Sequence, residues 1–152
     1  MPERKTIERA QEDAREGKSP STQAGEFVRE EMHHVREGKH GAASPQQAIA
    51  IGLSKARRAG VKLAPPRQGK ASARTTAKAE QDYRKGQSHS TRKPSARRSR
   101  ATSNALKKEG RSAASHSALS RQARTAARKR GAASRSRSAK RASATRKHDK
   151  AA

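Results

Sequence analysis

The sequence predicts a mostly α protein: a small helical head over residues 1–64, built from a helical hairpin and a looser N-terminal helix, then a long disordered basic tail over residues 65–152. Three observations carry this reading. Helix start and stop signals are concentrated in the head. Beyond residue 64 the only apolar side chains larger than Ala, prolines aside, are Tyr83, Leu106 and Leu119. Charge divides at the same place: residues 1–64 hold 12 Lys/Arg and 9 Asp/Glu, residues 65–152 hold 26 and 4.

The first helix is expected over about residues 3–16. Pro2 suits a first helical position, Glu3 favours the positive end of the helix dipole, and Gly17 is a left-handed stop. Its single large apolar residue is Ile7. The second helix takes Ser21 or Thr22 as cap and ends at Gly38, with Phe27, Val28, Met32 and Val35 recurring at helical spacing. Glu26, Arg29, Glu30, Arg36 and Glu37 fill most of the remaining circumference, which reads as a solvated face. The third helix has the clearest start: Ser44 as cap, Pro45 at the first position and Gln47 completing a capping box. It should run over residues 45–59, stop at Gly60, and return Val61 onto Ala56. Facing stripes on the second and third helices, joined by a short link, predict an antiparallel hairpin.

Arg15-Glu16-Gly17-Lys18-Ser19-Pro20 and Arg36-Glu37-Gly38-Lys39, followed by Ser44-Pro45, form an internal repeat. It reads as two helices ending in the same charged turn and glycine cap; neither copy follows a strand or has phosphate-loop spacing. Pro65-Pro66 closes the head, since a proline pair extends neither helix nor central strand. The tail that follows is Ala, Ser, Arg and Lys in low-complexity order. It cannot bury enough apolar area to offset an ordering entropy of roughly 1–2 kcal/mol per residue, so disorder in the free chain is expected. Residues 113–130 and 132–147 lack proline and internal glycine and are expected to turn helical once phosphates neutralise them.

With no cysteine, disulfides and thiolate metal sites are excluded. The longest apolar run, residues 48–53, is far short of the roughly 20 residues needed to span a bilayer. No apolar segment follows Met1-Pro2-Glu3-Arg4-Lys5, so no secretory signal is expected, and the default is a cytoplasmic protein. No nucleophile sits beside a base in a recognisable setting, so neither an enzyme nor a small-molecule substrate is expected, and no cofactor. His33, His34 and His40 lie near Glu30, Glu31 and Glu37 without a His-Glu-x-x-His pattern; a solvated polar face is the expectation, not a metal site.

The net charge of +25 points to a polyanion, and the nucleoid is the natural setting. The expected phosphate-binding residues begin at the end of the third helix with Lys55, Arg57, Arg58 and Lys62. They continue through Arg97, Arg98, Arg100, Lys107 and Lys108, then Arg121, Arg124, Arg128, Lys129 and Arg130, and finally Arg135, Arg137, Lys140, Arg141, Arg146 and Lys147. DNA is the expected partner, with RNA as the alternative. Base reading is not expected: the first turns of the third helix offer only Gln46 and Gln47, and Tyr83 is a lone aromatic for stacking. A different class of partner, a protein or a second copy of the chain, would use the stripe of Phe27, Val28, Met32, Val35, Ile49 and Leu53.

The block from Ser21 through Gly41, Ser-Thr-Gln-Ala-Gly-Glu-Phe-Val-Arg-Glu-Glu-Met-His-His-Val-Arg-Glu-Gly-Lys-His-Gly, and the stretch from Gln47 to Leu63 resemble a family of short basic bacterial proteins of uncharacterised function, often labelled DNA-binding or plasmid stabilisation proteins. The resemblance spans about residues 1–70 and implies DNA binding. Members carry basic residues where this chain has Ala43 and Gln46, so that loop lacks the family's cations. The tail is similar in composition to histone H1-like bacterial proteins.

Overall fold

Local capping chemistry decides where the head's helices begin and end. In the computed structural model, which describes residues 2–67, 69–88 and 95–151 (side chains through 146), the described residues are mostly helical, with no strand among them. Helix α1 spans Arg4–Arg15, α2 Pro20–Glu37 and α3 Pro45–Arg58. The α2 cap is Ser19, two residues before the expected Ser21: its Oγ accepts from the Thr22 amide, and Pro20 takes the first helical position. Ser44 caps α3, accepting from the Gln47 amide at 3.2 Å. Gln47 Oε1 reaches back to the Ala43 amide at 2.7 Å, one residue beyond the usual capping box.

All three helices end in the same way. Gly17, Gly38 and Gly60 have φ of 72°, 78° and 95°, and the amide after each bonds a carbonyl five residues back: Lys18 to Asp13, Lys39 to His34, Val61 to Ala56. These are Schellman closures, so the internal repeat is a pair of helix stops. The turn after α2 sends α3 back along it. A cluster of Ala10, Ala24, Phe27, Ala56 and Val61 forms the core, with Ile7, Leu53 and Leu63 packed on it.

Gly52 sets the α2–α3 spacing. A Cβ there would fall 2.7 Å from the Val28 Cα and 3.0 Å from the Phe27 carbonyl oxygen, both backbone atoms that cannot step aside. Gly52→Ala should therefore destabilise the fold by about 1–3 kcal/mol, read as a lowered urea midpoint at unchanged m-value. An unchanged midpoint would show that the helices separate freely.

The compact unit does not end at Pro65-Pro66; it extends from Met1 to Ser115, with a second unit from His116 to Ala152. Helix α4, Ala73–Gln87, is capped by Ser72 and packs on α3 through Ala79, Asp82 and Gly86, spaced i, i+3, i+7 on one face. A Cβ on Gly86 would overlap the Arg57 carbonyl, and Gln87 Nε2 donates to the Gly60 carbonyl at 3.1 Å. Helix α5 spans Ala96–Lys107. At its C-terminal end and just beyond, the chain pairs with the α2–α3 link: the Gly41 amide donates to the Leu106 carbonyl and the Ala42 amide to the Gly110 carbonyl. A short 3₁₀ turn, Ser112–Ala114, buries Ala113 and Ala114, and Arg36 Nε donates to the Ala114 carbonyl at 2.9 Å.

In the second unit α6, His116–Lys129, and α7, Gly131–Ala151, are joined at Gly131, where φ is 72°. The structure thus describes helix where disorder was expected. Ala, Arg and Lys have high helix propensity, and Leu119, Ala126 and Ala127 of α6 are half-buried.

Candidate nucleic-acid interface

The bases at the end of α3 look equivalent in sequence but meet different surroundings. Lys55 Nζ lies 2.6 Å from Glu31 Oε2 and 3.2 Å from Glu30 Oε1, two carboxylates that are buried rather than solvated as expected. The reason is that α2 is covered on this side: the Glu3 amide at the start of α1 donates to Glu30 Oε2 at 3.0 Å. Arg57 is buried, its guanidinium donating to the carbonyls of Leu63 and Ala64. Burial lowers its pKa against the opposing pull of Asp82. Arg58 Nε pairs at 3.2 Å with Asp82 Oδ1, while Ser54 Oγ donates to Asp82 Oδ2 at 2.6 Å. Lys62 is exposed. Of the four, then, three are engaged in holding the unit together. Sequence reasoning missed this because each partner is remote in the chain, and Asp82 lay in a segment read as tail. The available signal was an acid at helical spacing from Ala79 and Gly86.

The remaining candidates present themselves differently. Arg97, Arg98, Arg100, Lys107 and Lys108 on α5 are exposed. In the second unit so are Arg121, Arg124, Arg128, Lys129, Arg130, Arg135, Arg137, Lys140, Arg141 and Arg146; the Lys147 side chain lies outside the described residues. Residues 116–152 hold 12 Lys/Arg and one acid, Asp149. Among the described residues every ion pair falls in the first unit, for example Arg9 with Glu26, Lys18 with Asp13 and Arg84 with Glu80. The head holds several of its bases on its own acids and carbonyls, though Arg4, Lys5, Arg15 and Lys62 are exposed; the second unit leaves its bases to solvent. Arg121, Arg124 and Arg128, at i, i+3, i+7, line one face of α6, whereas the bases of α7 are spread around its circumference.

Two base-reading options lose their basis. Gln47 Oε1 is taken by the α3 cap, and Tyr83 is half-buried in α4. The partner-binding stripe also shrinks, since Phe27, Met32 and Val35 are buried within the unit; Val28, Ile49 and Leu53 stay half-buried. No described helix is long and apolar enough to cross a membrane. No family model, curated protein or solved structure matches the chain.

The charge network of the head predicts an acid limb in its stability. The Glu3 carboxylate, 2.8 Å from His34 Nε2 and 3.2 Å from Lys39 Nζ, has its pKa lowered from 4.5 to about 2, chiefly by the bond to His34. Burial opposes the charge on Glu30, but the Glu3 amide and Lys55 outweigh it, so its pKa is lowered too. Groups with depressed folded pKa values stabilise fully above the unfolded value and lose that contribution as pH falls toward the folded one. The thermal midpoint should hold down to about pH 5 and drop between there and about pH 3, less steeply in Glu3→Gln. A flat profile over that window would show that these contacts carry no linkage.

Proposed function

We propose that the protein is a non-enzymatic, largely sequence-nonspecific DNA-binding protein of the nucleoid, acting in the manner of a histone H1-like tail on a folded head. One observation carries the reading: in residues 116–146 ten bases are exposed, nine on two helices and Arg130 between them, with no acidic partner among the described residues. Duplex DNA presents about one phosphate per 1.7 Å, and each base that displaces a condensed counterion gains free energy whatever the sequence. The exposed bases of α5 extend the same chemistry. Like-charge repulsion around α7 weakens its helix, and phosphate neutralisation would relieve it. The head contributes structure and little free charge.

The test is a fluorescence-anisotropy titration of a short duplex with the full chain and with residues 1–115, repeated over several salt concentrations. Engagement of about 8 phosphates gives a slope of log K against log salt near −7. The truncated chain should bind far more weakly and with a shallower slope. Equal binding by residues 1–115, or binding indifferent to salt, would refute the proposal. A parallel titration with single-stranded and duplex RNA distinguishes the alternative polyanion, which would have to bind more tightly than DNA at equal salt.

A further inference from the structure

The head contains a second group of side chains whose chemistry the charge network does not exhaust. One ligand atom from each of Glu31, His34 and His40 lies within 4.8 Å of the other two. Glu31 is fully buried, and the two rings meet edge to face with centroids 6.0 Å apart. Three stretches of chain converge there: α1 through Glu3, α2, and the link before α3.

The hydrogen bonds around the two imidazoles decide which nitrogens are left over. His40 Nδ1 lies 3.0 Å from the Gly41 carbonyl, which only accepts, so Nδ1 carries the proton. His34 Nε2 lies 2.8 Å from Glu3 Oε1, an ionised carboxylate that likewise only accepts, so Nε2 carries the proton there. When a ring carries only that one proton, its other nitrogen is a lone pair free to bind a cation. His40 Nε2 points its lone pair at Glu31 Oε1 from 3.2 Å, and His34 Nδ1 faces Glu30 Oε1 at 3.9 Å. A cation between these atoms, a proton on the ring or a metal ion, makes the contact favourable, and a metal ion would use both rings and Glu31 at once. Outer partners that fix the tautomer, a carboxylate on one ring and a backbone carbonyl on the other, are the usual support of metal-bound histidines.

We infer that Glu31, His34 and His40 form a structural site for a borderline divalent cation of the Zn²⁺ class, with Glu30 beside the fourth position. Two imidazoles and carboxylate oxygens suit Zn²⁺ in tetrahedral geometry and suit Ca²⁺ or Mg²⁺ poorly. The His40–Glu31 separation of 3.2 Å already fits one edge of such a tetrahedron, and a ligand atom of His34 lies within 4.8 Å of both. Lys55 remains on Glu31 Oε2, leaving Glu30, Glu31 and Lys55 with one net negative charge to meet the ion. An open cleft of about 240 Å³ reaches Glu3, Glu30 and His34 from solvent and provides entry. The bound ion would pin the α2–α3 link to α2 and, through His34 and Glu3, to the start of α1.

The experiment uses the full chain, stripped with chelator and titrated with Co²⁺ as a spectroscopic stand-in. The expected result is one ion per chain, with the intense visible absorption of a four-coordinate site, displaced by Zn²⁺, and a thermal midpoint that rises on Zn²⁺ addition. His34→Gln and His40→Gln should each lower affinity at least about tenfold, and Glu3→Gln, on an exposed outer partner, about 10- to 100-fold. His33→Gln, exposed on the same helix, should leave affinity unchanged. Helix content by circular dichroism confirms that each variant folds. A weak, pale Co²⁺ spectrum from the wild type, or equal losses in His33→Gln and His40→Gln, would overturn the inference.

Discussion

Lys55→Met lowers the unfolding free energy of the first unit by about 3–5 kcal/mol, a large share of the ~5–15 kcal/mol typical of a domain. The substitution keeps most of the aliphatic stem and deletes the ammonium that lies against Glu30 and Glu31, whose side chains are 2% and 0% exposed. Two carboxylates would then share a buried site with no strong cation, and the penalty is their desolvation rather than the value of the lost pair. A double substitution distinguishes these. In Lys55→Met with Glu31→Gln one of the orphaned charges is gone, so part of the loss is recovered, and the two changes couple by more than about 0.5 kcal/mol. Urea unfolding in the presence of chelator makes the measurement free of metal linkage. A single-variant loss below about 0.5 kcal/mol would mean that the network is solvated and energetically idle, as surface pairs commonly are.

That result also bears on function, because Lys55 belongs to the group that the sequence assigns to phosphate binding. A base held between two buried carboxylates is a poor phosphate ligand: leaving them would expose the same penalty. Arg57, turned onto two carbonyls, and Arg58, on Asp82, are restrained for related reasons. The formal charge of the chain therefore overstates what the head offers to a polyanion.

The parts of the fold visible in the sequence are those governed by neighbours in the chain. Ser44-Pro45 and Gly60-Val61 bound α3 because caps and Schellman closures act over five or six residues. The docking of α4 and of the Ser112–Ala114 turn was not visible. Its buried surface consists of Ala79, Gly86, Ala113 and Ala114 plus the carboxylate of Asp82, and small residues among Lys, Ser and Arg have the composition of a linker. Burial of Glu30 and Glu31 was hidden for a related reason: their partners, the Lys55 ammonium and the His40 ring, come from α3 and the link before it. The exposed bases of α5, α6 and α7 were legible, since a segment with so few large apolar side chains has nothing in which to bury them.

Replacing Arg121, Arg124 and Arg128 together by Gln lowers duplex affinity about a hundredfold near 0.15 M salt and reduces the slope of log K against log salt by about 2.7. The arithmetic is simple: each phosphate contact contributes about 0.9 to the slope, and the three arginines share one face of α6 at i, i+3, i+7, where all can meet a backbone at once. Gln keeps helix propensity and a polar side chain, so the main change is the loss of charge. The loss should be the same for duplexes of unrelated sequence, because phosphate contacts position a protein without reading bases. A chain in which residues 116–152 are shuffled, with composition unchanged, separates counterion release from shape. It should bind within about threefold of the natural chain and with the same slope if charge density is what matters. A shuffled tail that binds much more weakly would indicate that the α6 face docks as a unit. An unchanged slope in the triple variant would remove this face of α6 from the interface and leave the bases of α7 and α5 and Lys62 to account for binding.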